Sequence, residues 1–302
     1  TRLLSFTFST VQTMVIEMGD QYFRFHTQGQ TLNYSNGAAW NNATAYTVGD
    51  IALQGGVNYY CTVAHTNQAP PNASYWYAMP ANYVYEVPSP YLEAELFDVH
   101  YVQSADVMTI VHPNHAPKEL RRLSATKWEL KTINFASPLA APTGVTVATY
   151  IPSSSSTNND TFETHKYVVT AVASNSIDES EQSAVGLKAN GNVPENNIYV
   201  TGAKNTITWT AVTGASKYRV YKQQAGIYGF LGETSDLEIV DANIAPDFSR
   251  VPPIFENEFQ GAGNFPGAVS YFEQRRVFAG TNNDPQSIFM TKSGTESNLT
   301  FG

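Results

Sequence analysis

The chain has 302 residues, and only 14% of them are charged, against about 25% in an average soluble domain. Thr, Ser, Asn, Gly and Tyr take the place of Lys and Glu, which favours strands and turns and disfavours long exposed helices. The formal net charge of -9 repels phosphate backbones, so the outer surface is not expected to bind nucleic acid, whereas an acidic channel would let DNA pass without holding it.

The cysteine content and the apolar runs exclude two further classes of protein. Cys61 is the only cysteine, so an intrachain disulfide and a cysteine metal cluster are both excluded. We expect this thiol to be a small buried hydrophobe. No run reaches the roughly 18–20 apolar residues that span a bilayer, and no signal peptide is recognisable. The sequence starts within a strand-like run and stops without a terminator, so we expect a piece of a longer protein.

The first part of the chain alternates apolar and polar residues as strands do. Alternating runs at 14–18 and 22–26 flank Gly19 and Asp20, which predicts a hairpin with a two-residue turn. Further strands are predicted at residues 83–87, 107–111 and 127–133. Because the alternation resumes after a stretch of different composition, we predict one discontinuous β-domain from residues 1–36 and 83–138.

The intervening residues 37–82 are rich in Gly, Asn, Pro and aromatic side chains. The pairs at 49–50 and 55–56 separate β-prone runs, which predicts a small three-stranded sheet. About 45 residues without a disulfide bury little surface, so the core must depend on large aromatic side chains. The expected core aromatics are Trp40, Tyr46, Tyr59 and Trp76.

Beyond a linker at 138–142, residues 139–251 read as a second β-domain. Its predicted strands are residues 145–148, 167–172, 206–209 and 218–221. Short strands separated by turn residues indicate a sandwich, and the serine-rich tract 153–160 indicates an exposed, mobile loop. Residues 252–302 contain two more strands, at 271–279 and 287–291, joined by the turn at 282–285. They are expected to begin a further β-domain, for which a propeller is one option, that continues past the end.

Two segments resemble modules of secreted proteins. Residues 207–221 resemble the fibronectin type III pattern, in which a strand Trp (here Trp209) packs between sheets against a Tyr (here Tyr218). The module at 37–82 resembles the small chitin-binding modules of bacterial chitinases through Trp40, Tyr46, Tyr59, Trp76 and its glycines. That resemblance implies stacking of aromatic rings on sugars. Val63 and Ala64 stand where those modules often carry an aromatic pair, so the candidate sugar contacts are Tyr60, His65 and Trp76.

Three separated segments resemble a widespread family of bacteriophage tail proteins. The segments are residues 2–8 with 18–25 (MGDQYFRF), residues 101–107 with 111–117 (VHPNHAP), and residues 271–281 (YFEQRRVFAGT). They occur in the order found in that family and cover most of the chain outside the insertion. Members are described as stabilisation, tail-tubular or nozzle proteins of short-tailed phages.

This resemblance implies a structural role without a cofactor or catalysis. It implies a ring of identical copies, commonly six, below the portal and its adaptor, which forms part of the DNA ejection conduit. The implied partners are further copies of the chain, the portal-adaptor protein, tail fibre or spike proteins, and a host surface glycan at the insertion. DNA would only pass through, and no membrane anchor is expected. The implied location is the virion tail, assembled in the host cytoplasm.

A few residues suggest an enzymatic or a metal site. His112 and His115 flank Pro113 and suggest a metal pair, but no Asp, Glu or Cys has ligand-like spacing, so a turn with two solvated histidines and no metal is expected. Glu93 and Glu95 would share one face of a strand, whereas a glycosidase needs carboxylates about 5–10 Å apart across a cleft. Residues 178–181 indicate a solvated loop, with a weak calcium site as the alternative. No hydrolase or phosphate-loop motif occurs, so catalytic residues are not expected.

Two function classes therefore remain open. The first is a virion tail component that assembles through β surfaces. The second is a secreted carbohydrate-binding protein or an accessory region of a chitinase-like glycosidase. The placement of the module inside another β-domain, with no catalytic barrel, favours the first class. It also predicts that deletion of 37–82 leaves a ring intact.

Overall fold

The computed structural model describes residues 1–7, 13–152, 165–186, 198 and 201–301. Strands dominate these residues, and their one helical element is a single 3-10 turn, Glu93–Glu95. The predicted all-β, multi-domain class is therefore confirmed. The chain divides into two compact units: unit 1 is Thr1–Ile133 with Glu258–Met290, and unit 2 is Asn134–Asn257 with Thr291–Gly302. The serine-rich tract 153–160, predicted to be a mobile loop, lies outside the described residues.

Unit 1 begins with an antiparallel sheet that is interrupted by the insertion. Its strands and those of the insertion are, in chain order, β1 (Arg2–Thr7), β2 (Thr13–Gly19), β3 (Tyr22–Thr27), β4 (Gln30–Thr31), β5 (Ala38–Ala39), β6 (Ala45–Tyr46), β7 (Ile51–Gln54), β8 (Val57–Cys61), β9 (His65–Thr66), β10 (Trp76–Ala78) and β11 (Glu86–Pro88). The first sheet has the order β1-β2-β3-β11, with β4 beside β3. Strands from both sides of the insertion thus join β3.

The predicted hairpin between β2 and β3 exists, but its turn lies one residue later than expected. Gly19 still pairs with Tyr22, so the two-residue turn is Asp20 and Gln21, with Gln21 at a φ of 64°. Gly19 is thus not a turn residue, and glycine is required there for a steric reason. A Cβ there would stand 2.0 Å from the Tyr22 ring, so the bare backbone makes room for that ring.

The insertion contains more strands than the three predicted from its turns. β10, β8, β7 and β5 form a four-stranded sheet in that order, and β6 pairs with β9. The extra edge strand β5 runs parallel to β7 through only two residue pairs, which is too short for an alternation pattern in the sequence. The turn at Gly55 and Gly56 lies between β7 and β8, and both glycines have positive φ.

Strand β8 belongs to two cores at once. Cys61 packs with Tyr46, Ala52 and Trp76 in a small cluster of the insertion. Tyr60, its neighbour on the opposite face of the strand, packs into the main core of unit 1, and its hydroxyl donates to the Trp128 carbonyl at 2.8 Å. Removing residues 37–82 would take Tyr60 out of this core, so the structure argues against the predicted tolerance of that deletion.

The second sheet of unit 1 contains a strand that is buried along almost its whole length. Its strands are β12 (His100–Ser104), β13 (Val107–His112), β14 (His115–Ser124) and β15 (Lys127–Thr132), in sequential order. Every residue of β13 after Val107 is buried. Trp128 of β15 stacks on Phe25 of β3, with ring centroids 4.2 Å apart, so the main core joins this sheet to the first one.

Unit 2 contains a two-sheet sandwich. Its strands are β16 (Thr146–Tyr150), β17 (Tyr167–Ala173), β18 (Lys204–Thr208), β19 (Ala215–Gln224), β20 (Ile227–Thr234) and β21 (Glu238–Asp241). They form the sheets β16-β18-β21 and β17-β19-β20, which share one core cluster. Trp209 and Tyr218 both lie in this core, with ring centroids 5.4 Å apart.

The C-terminal stretch differs from its prediction in two ways. Its strands are β22 (Ala268–Phe272), β23 (Arg275–Ala279) and β24 (Ile288–Met290). The predicted strand 271–279 is a hairpin, because Glu273 and Gln274 take φ values of 45° and 60° and reverse the chain. This sheet also belongs to unit 1, while the residues after Met290 belong to unit 2. The expected separate domain at 252–302 is thus divided between the two units.

Candidate functional site

Two of the three predicted sugar contacts are buried, and the third, His65, is half-buried. Tyr60 is 1% exposed and Trp76 is 3% exposed, and the Trp76 indole donates to the Gln68 carbonyl at 2.8 Å. The half-buried His65 ring packs edge-on against Tyr75 and Trp76. Burial lowers the pKa of His65, which favours the neutral form. Trp76 therefore belongs to the small core of the module and Tyr60 to the main core of unit 1, and neither is exposed enough to stack on a sugar as the resemblance implied.

Aromatic side chains of β8 and β10 line a cleft beside the module. Tyr59 and Tyr77, both partly exposed, line a cleft of about 440 Å³ together with Pro71, Pro88 and the predicted contact Trp76. Sequence reasoning assigned Tyr59 to the core and Tyr60 to the surface. Tyr59 is only partly buried but does pack against the small core of the module, whereas Tyr60 is buried in the main core. Neighbours on a strand point to opposite faces, and alternation alone does not tell which face is covered more completely.

The β13–β14 turn brings polar side chains together in unit 1. His112 pairs with His115 across the hairpin, so both side chains project to the same side of the sheet. Glu95, from the 3-10 turn, reaches the same place, and its Oε2 lies 2.8 Å from His115 Nε2. One ligand atom from each of the three residues lies within 4.8 Å of the others.

This cluster contradicts the expected turn with two solvated histidines. His112 is only 2% exposed and His115 is about one-fifth exposed. The acidic partner that seemed to be missing is Glu95, which lies 20 residues before His115. Glu93 and Glu95 also do not share a strand face, because they belong to a 3-10 turn. No local spacing signal could have revealed this partner, since the long connection between them closes only in the folded chain.

Two polar atoms of the cluster lack hydrogen-bond partners among the described residues. These atoms are His112 Nε2 and the Tyr91 hydroxyl, and both are buried. His112 Nδ1 accepts the Asn114 amide at 3.1 Å, so the neutral ring carries its proton on Nε2. Burial lowers the pKa of His112. A buried N–H without an acceptor is costly, which marks a place where a water or a ligand belongs.

Glu95 is firmly oriented towards the two histidines. Burial raises the pKa of this carboxyl, but hydrogen bonds from His115, the Leu92 amide and Asn114 lower it more, to about 2. The Asn114 side chain donates to Oε1 at 3.1 Å, and the Leu92 amide donates to Oε2 at 3.0 Å. Glu95 is therefore an anion at neutral pH, held by donors on both oxygens.

The acidic segment 178–181 is not the solvated loop that the sequence indicates. Glu179 is 6% exposed and accepts hydrogen bonds from the Tyr221 hydroxyl, 2.6 Å away, and from Arg219. The Thr170 hydroxyl also donates to this carboxylate. A carboxylate with these partners has no oxygen turned outward, so the alternative of a calcium site at this segment is not supported.

A buried ion pair joins distant parts of unit 1. Arg276 of β23 is fully buried, and its guanidinium lies 2.7 Å from Glu119 of β14. Glu119 also contacts Arg121 at 2.5 Å. Burial raises the pKa of Glu119, but the two arginines lower it more. This pair anchors the C-terminal hairpin to the first 133 residues of the chain.

Comparison with protein-family models and with curated proteins finds no match for this chain. Among the described residues, no helix has the length and apolar character required to cross a bilayer.

Proposed function

We propose that this chain is a structural component of a short-tailed bacteriophage tail, in the nozzle or tail tube below the portal and adaptor. The observation that carries the proposal is the Glu119–Arg276 ion pair. Arg276 lies inside the third tail-like segment, 271–281, and Glu119 follows the second, 111–117, by two residues. The second and third tail-like segments are far apart in sequence, but the ion pair brings them together in one compact unit. We expect this if the resemblance extends over a whole domain.

Exposed apolar side chains on edge strands support assembly from identical copies. Leu3 on β1, Phe272 on β22 and Ile288 on β24 are each 58% or more exposed. Each of these strands lies at an end of its sheet. An edge strand with apolar side chains can accept a strand or a sheet face from a neighbouring copy, and isolated monomers normally protect such edges. A ring gives every copy the same two neighbours and so covers these edges.

The charge of the chain agrees with a conduit for DNA. A net charge of -9 gives the protein the same sign as the phosphate backbone. A channel lined by such a surface would not retain DNA during ejection, because binding of DNA depends on neutralising phosphates with Lys and Arg.

Size-exclusion chromatography with light scattering and negative-stain microscopy of the purified full-length chain test this proposal. We expect closed rings with an open centre. The edge variant Leu3→Lys/Phe272→Lys/Ile288→Lys should give monomers, because charges on edge strands block pairing. Leu123→Lys is the matched control, because Leu123 is also half exposed but lies on the inner strand β14. A wild-type chain that stays monomeric at high concentration would refute the proposal.

The cleft beside Tyr59 and Tyr77 supports a second candidate function, binding of a carbohydrate. Two partly exposed tyrosines at a mostly apolar cleft offer faces on which a sugar ring can stack. Calorimetric titration with chitin oligosaccharides should detect binding that Tyr59→Ala abolishes. The control Tyr150→Ala removes an exposed tyrosine of unit 2 and should leave affinity unchanged. Equal affinity of the wild type and Tyr59→Ala would exclude this cleft as the sugar site.

A further inference from the structure

We propose that Glu95, His112 and His115 form a binding site for a divalent transition-metal ion of the zinc class. This donor set, two imidazoles and one carboxylate, is one that Zn²⁺ uses with an open fourth position. In tetrahedral coordination the ligand atoms stand about 3.4 Å apart, from metal–ligand distances of about 2.1 Å. The three donor atoms here lie within 4.8 Å of one another, so a contraction of little more than 1 Å would bring them into coordination distance.

The geometry of the hairpin makes this contraction small. His112 and His115 are directly opposed residues of β13 and β14, separated by a two-residue turn. Their ring centroids lie 5.1 Å apart. His115 Nε2 and Glu95 Oε2, at 2.8 Å, already share one proton, which the metal would replace. Movement of the His112 side chain and of the turn that follows it is therefore the main change that coordination requires.

An independent observation points to a ligand at this place. His112 is 98% buried, and its Nε2 has no hydrogen-bond partner in the described part of the chain. The Tyr91 hydroxyl, on a side chain whose ring lies 5.1 Å from that of His115, also lacks one. Folded proteins rarely leave such atoms unsatisfied. A metal at Nε2, together with its bound water, would supply the missing interactions.

Coordination through Nε2 has one local consequence. It moves the imidazole proton of His112 to Nδ1. In this structure the same Nδ1 accepts a hydrogen bond from the Asn114 amide at 3.1 Å, which a protonated Nδ1 could not do. The Asn114 amide must therefore release His112 when the metal binds, and the turn between β13 and β14 must rearrange. The Asn114 side chain can stay on Glu95, where it would orient the carboxylate as outer-shell partners of metal ligands do.

The site has an approach from solvent and a structural role that fits its position. A cleft of about 320 Å³, lined by His112, Asn114, Asp98 and His100, borders the cluster. A bound metal would connect the 3-10 turn to the β13–β14 hairpin. Leu92 and Phe97, two exposed apolar residues, flank that turn. The metal would thus fix the surface that carries them. This site does not depend on the proposed tail function.

Metal titration of the full-length chain tests the site. The chain is first treated with a chelator and then titrated with ZnCl₂ by calorimetry, with Co²⁺ as a spectroscopic probe in a parallel experiment. We expect one ion per chain, visible absorption bands of low-symmetry Co²⁺, a higher Tm with metal, and release of protons on binding. Binding should weaken at acid pH, because metal ligands bind in their deprotonated form.

Variants assign the binding to these residues. Glu95→Gln and His115→Gln are the safest substitutions for folding, because both side chains are partly exposed. Each should weaken binding by about 100-fold or more, since loss of an outer-shell partner alone costs about 10–100-fold. His112→Asn should do the same if circular dichroism shows that it folds. His100→Gln is the matched control, because it removes a histidine of the same cleft outside the triad.

Three results would overturn the proposal. The first is the absence of saturable Zn²⁺ binding by the wild-type chain. The second is equal affinity of wild type, Glu95→Gln and His115→Gln, which would indicate adventitious binding to surface histidines. The third is that the NMR chemical shifts of His112 and Asn114 do not change when Zn²⁺ is added. His112 would then lie outside the coordination sphere, and a buried water would be the partner of its Nε2.

Discussion

The substitution Glu119→Gln tests the buried ion pair on which the organisation of unit 1 depends. The change removes one negative charge and keeps the size of the side chain. It leaves Arg276, which is fully buried, without the carboxylate that now lies 2.7 Å from its guanidinium. Taking a guanidinium out of water is tolerated only while a partner compensates its charge.

The expected loss of stability is large because only one partner is removed. Breaking a buried ion pair in this way costs about 3–5 kcal/mol. In a domain of about 150–250 residues, each kcal/mol lowers Tm by about 2–4 °C. Unit 1 falls in this size range, so we expect its Tm to fall by about 6–20 °C.

The two halves of the pair should respond differently. Arg276→Met removes the buried cation and leaves Glu119 paired with Arg121, at 2.5 Å. This variant should therefore cost less than Glu119→Gln. Asp106→Asn is the matched control, because Asp106 is half exposed and its contact with Arg122 should contribute less than about 1 kcal/mol.

Differential scanning calorimetry is the appropriate assay, because it can separate the transitions of the two units. The reasoning is refuted if Glu119→Gln lowers the free energy of unfolding by no more than the Asp106→Asn control. It is also refuted if Arg276→Met is the more damaging change, because Glu119 would then depend on Arg276 and gain little from Arg121.

Three further predictions concern single groups. Tyr60→Phe should lower the free energy of unfolding by about 1–3 kcal/mol, because the buried Trp128 carbonyl loses the hydrogen bond from the Tyr60 hydroxyl. Urea titration measures this change. An unchanged free energy of unfolding would place the module outside the main core. Burial raises the pKa of the Cys61 thiol to about 11, so Ellman's reagent should react with this thiol only as fast as the chain unfolds. Rapid labelling of the native protein would contradict this burial. The folded-state pKa of Glu95 is lowered to about 2, so its bond to His115 contributes stability that is complete above pH 4.5 and lost as the pH falls towards 2. Glu95→Gln should remove that part of the acid dependence of Tm, and an unchanged profile would show that the carboxylate is not held in this way.

The sequence predicted strand content well because strand alternation is a local property. The β2–β3 hairpin, the buried strand β13 and the turn at Gly55 and Gly56 all follow from residues close to one another in the chain. The position of a turn was predicted wrongly where one residue type is compatible with two structural roles. Gly19 indicated a turn, but the structure uses the missing side chain to admit the Tyr22 ring.

The candidate sites were harder to predict because they depend on contacts between distant residues. Alternation places Tyr59 and Tyr60 on opposite faces of β8, but only the contact with β15 decides that Tyr60 is the fully buried one. His112 and His115 carried a visible metal-like signal, but their carboxylate partner comes from the 3-10 turn. Short-range patterns cannot report such pairs, because loop closure brings them together only on folding.

Composition, turn residues and the period of two along each strand determined the β class of this protein, because they act through the backbone geometry of neighbouring residues. The partners of Tyr60, Glu95 and Arg276 were decided only by the tertiary structure. Burial depends on which sheet covers a given face, and that choice is made by the packing of the whole unit. Within the described part of the chain, the same packing leaves His112 without a partner for its Nε2, and this feature of the fold gives the metal-site proposal its strongest support.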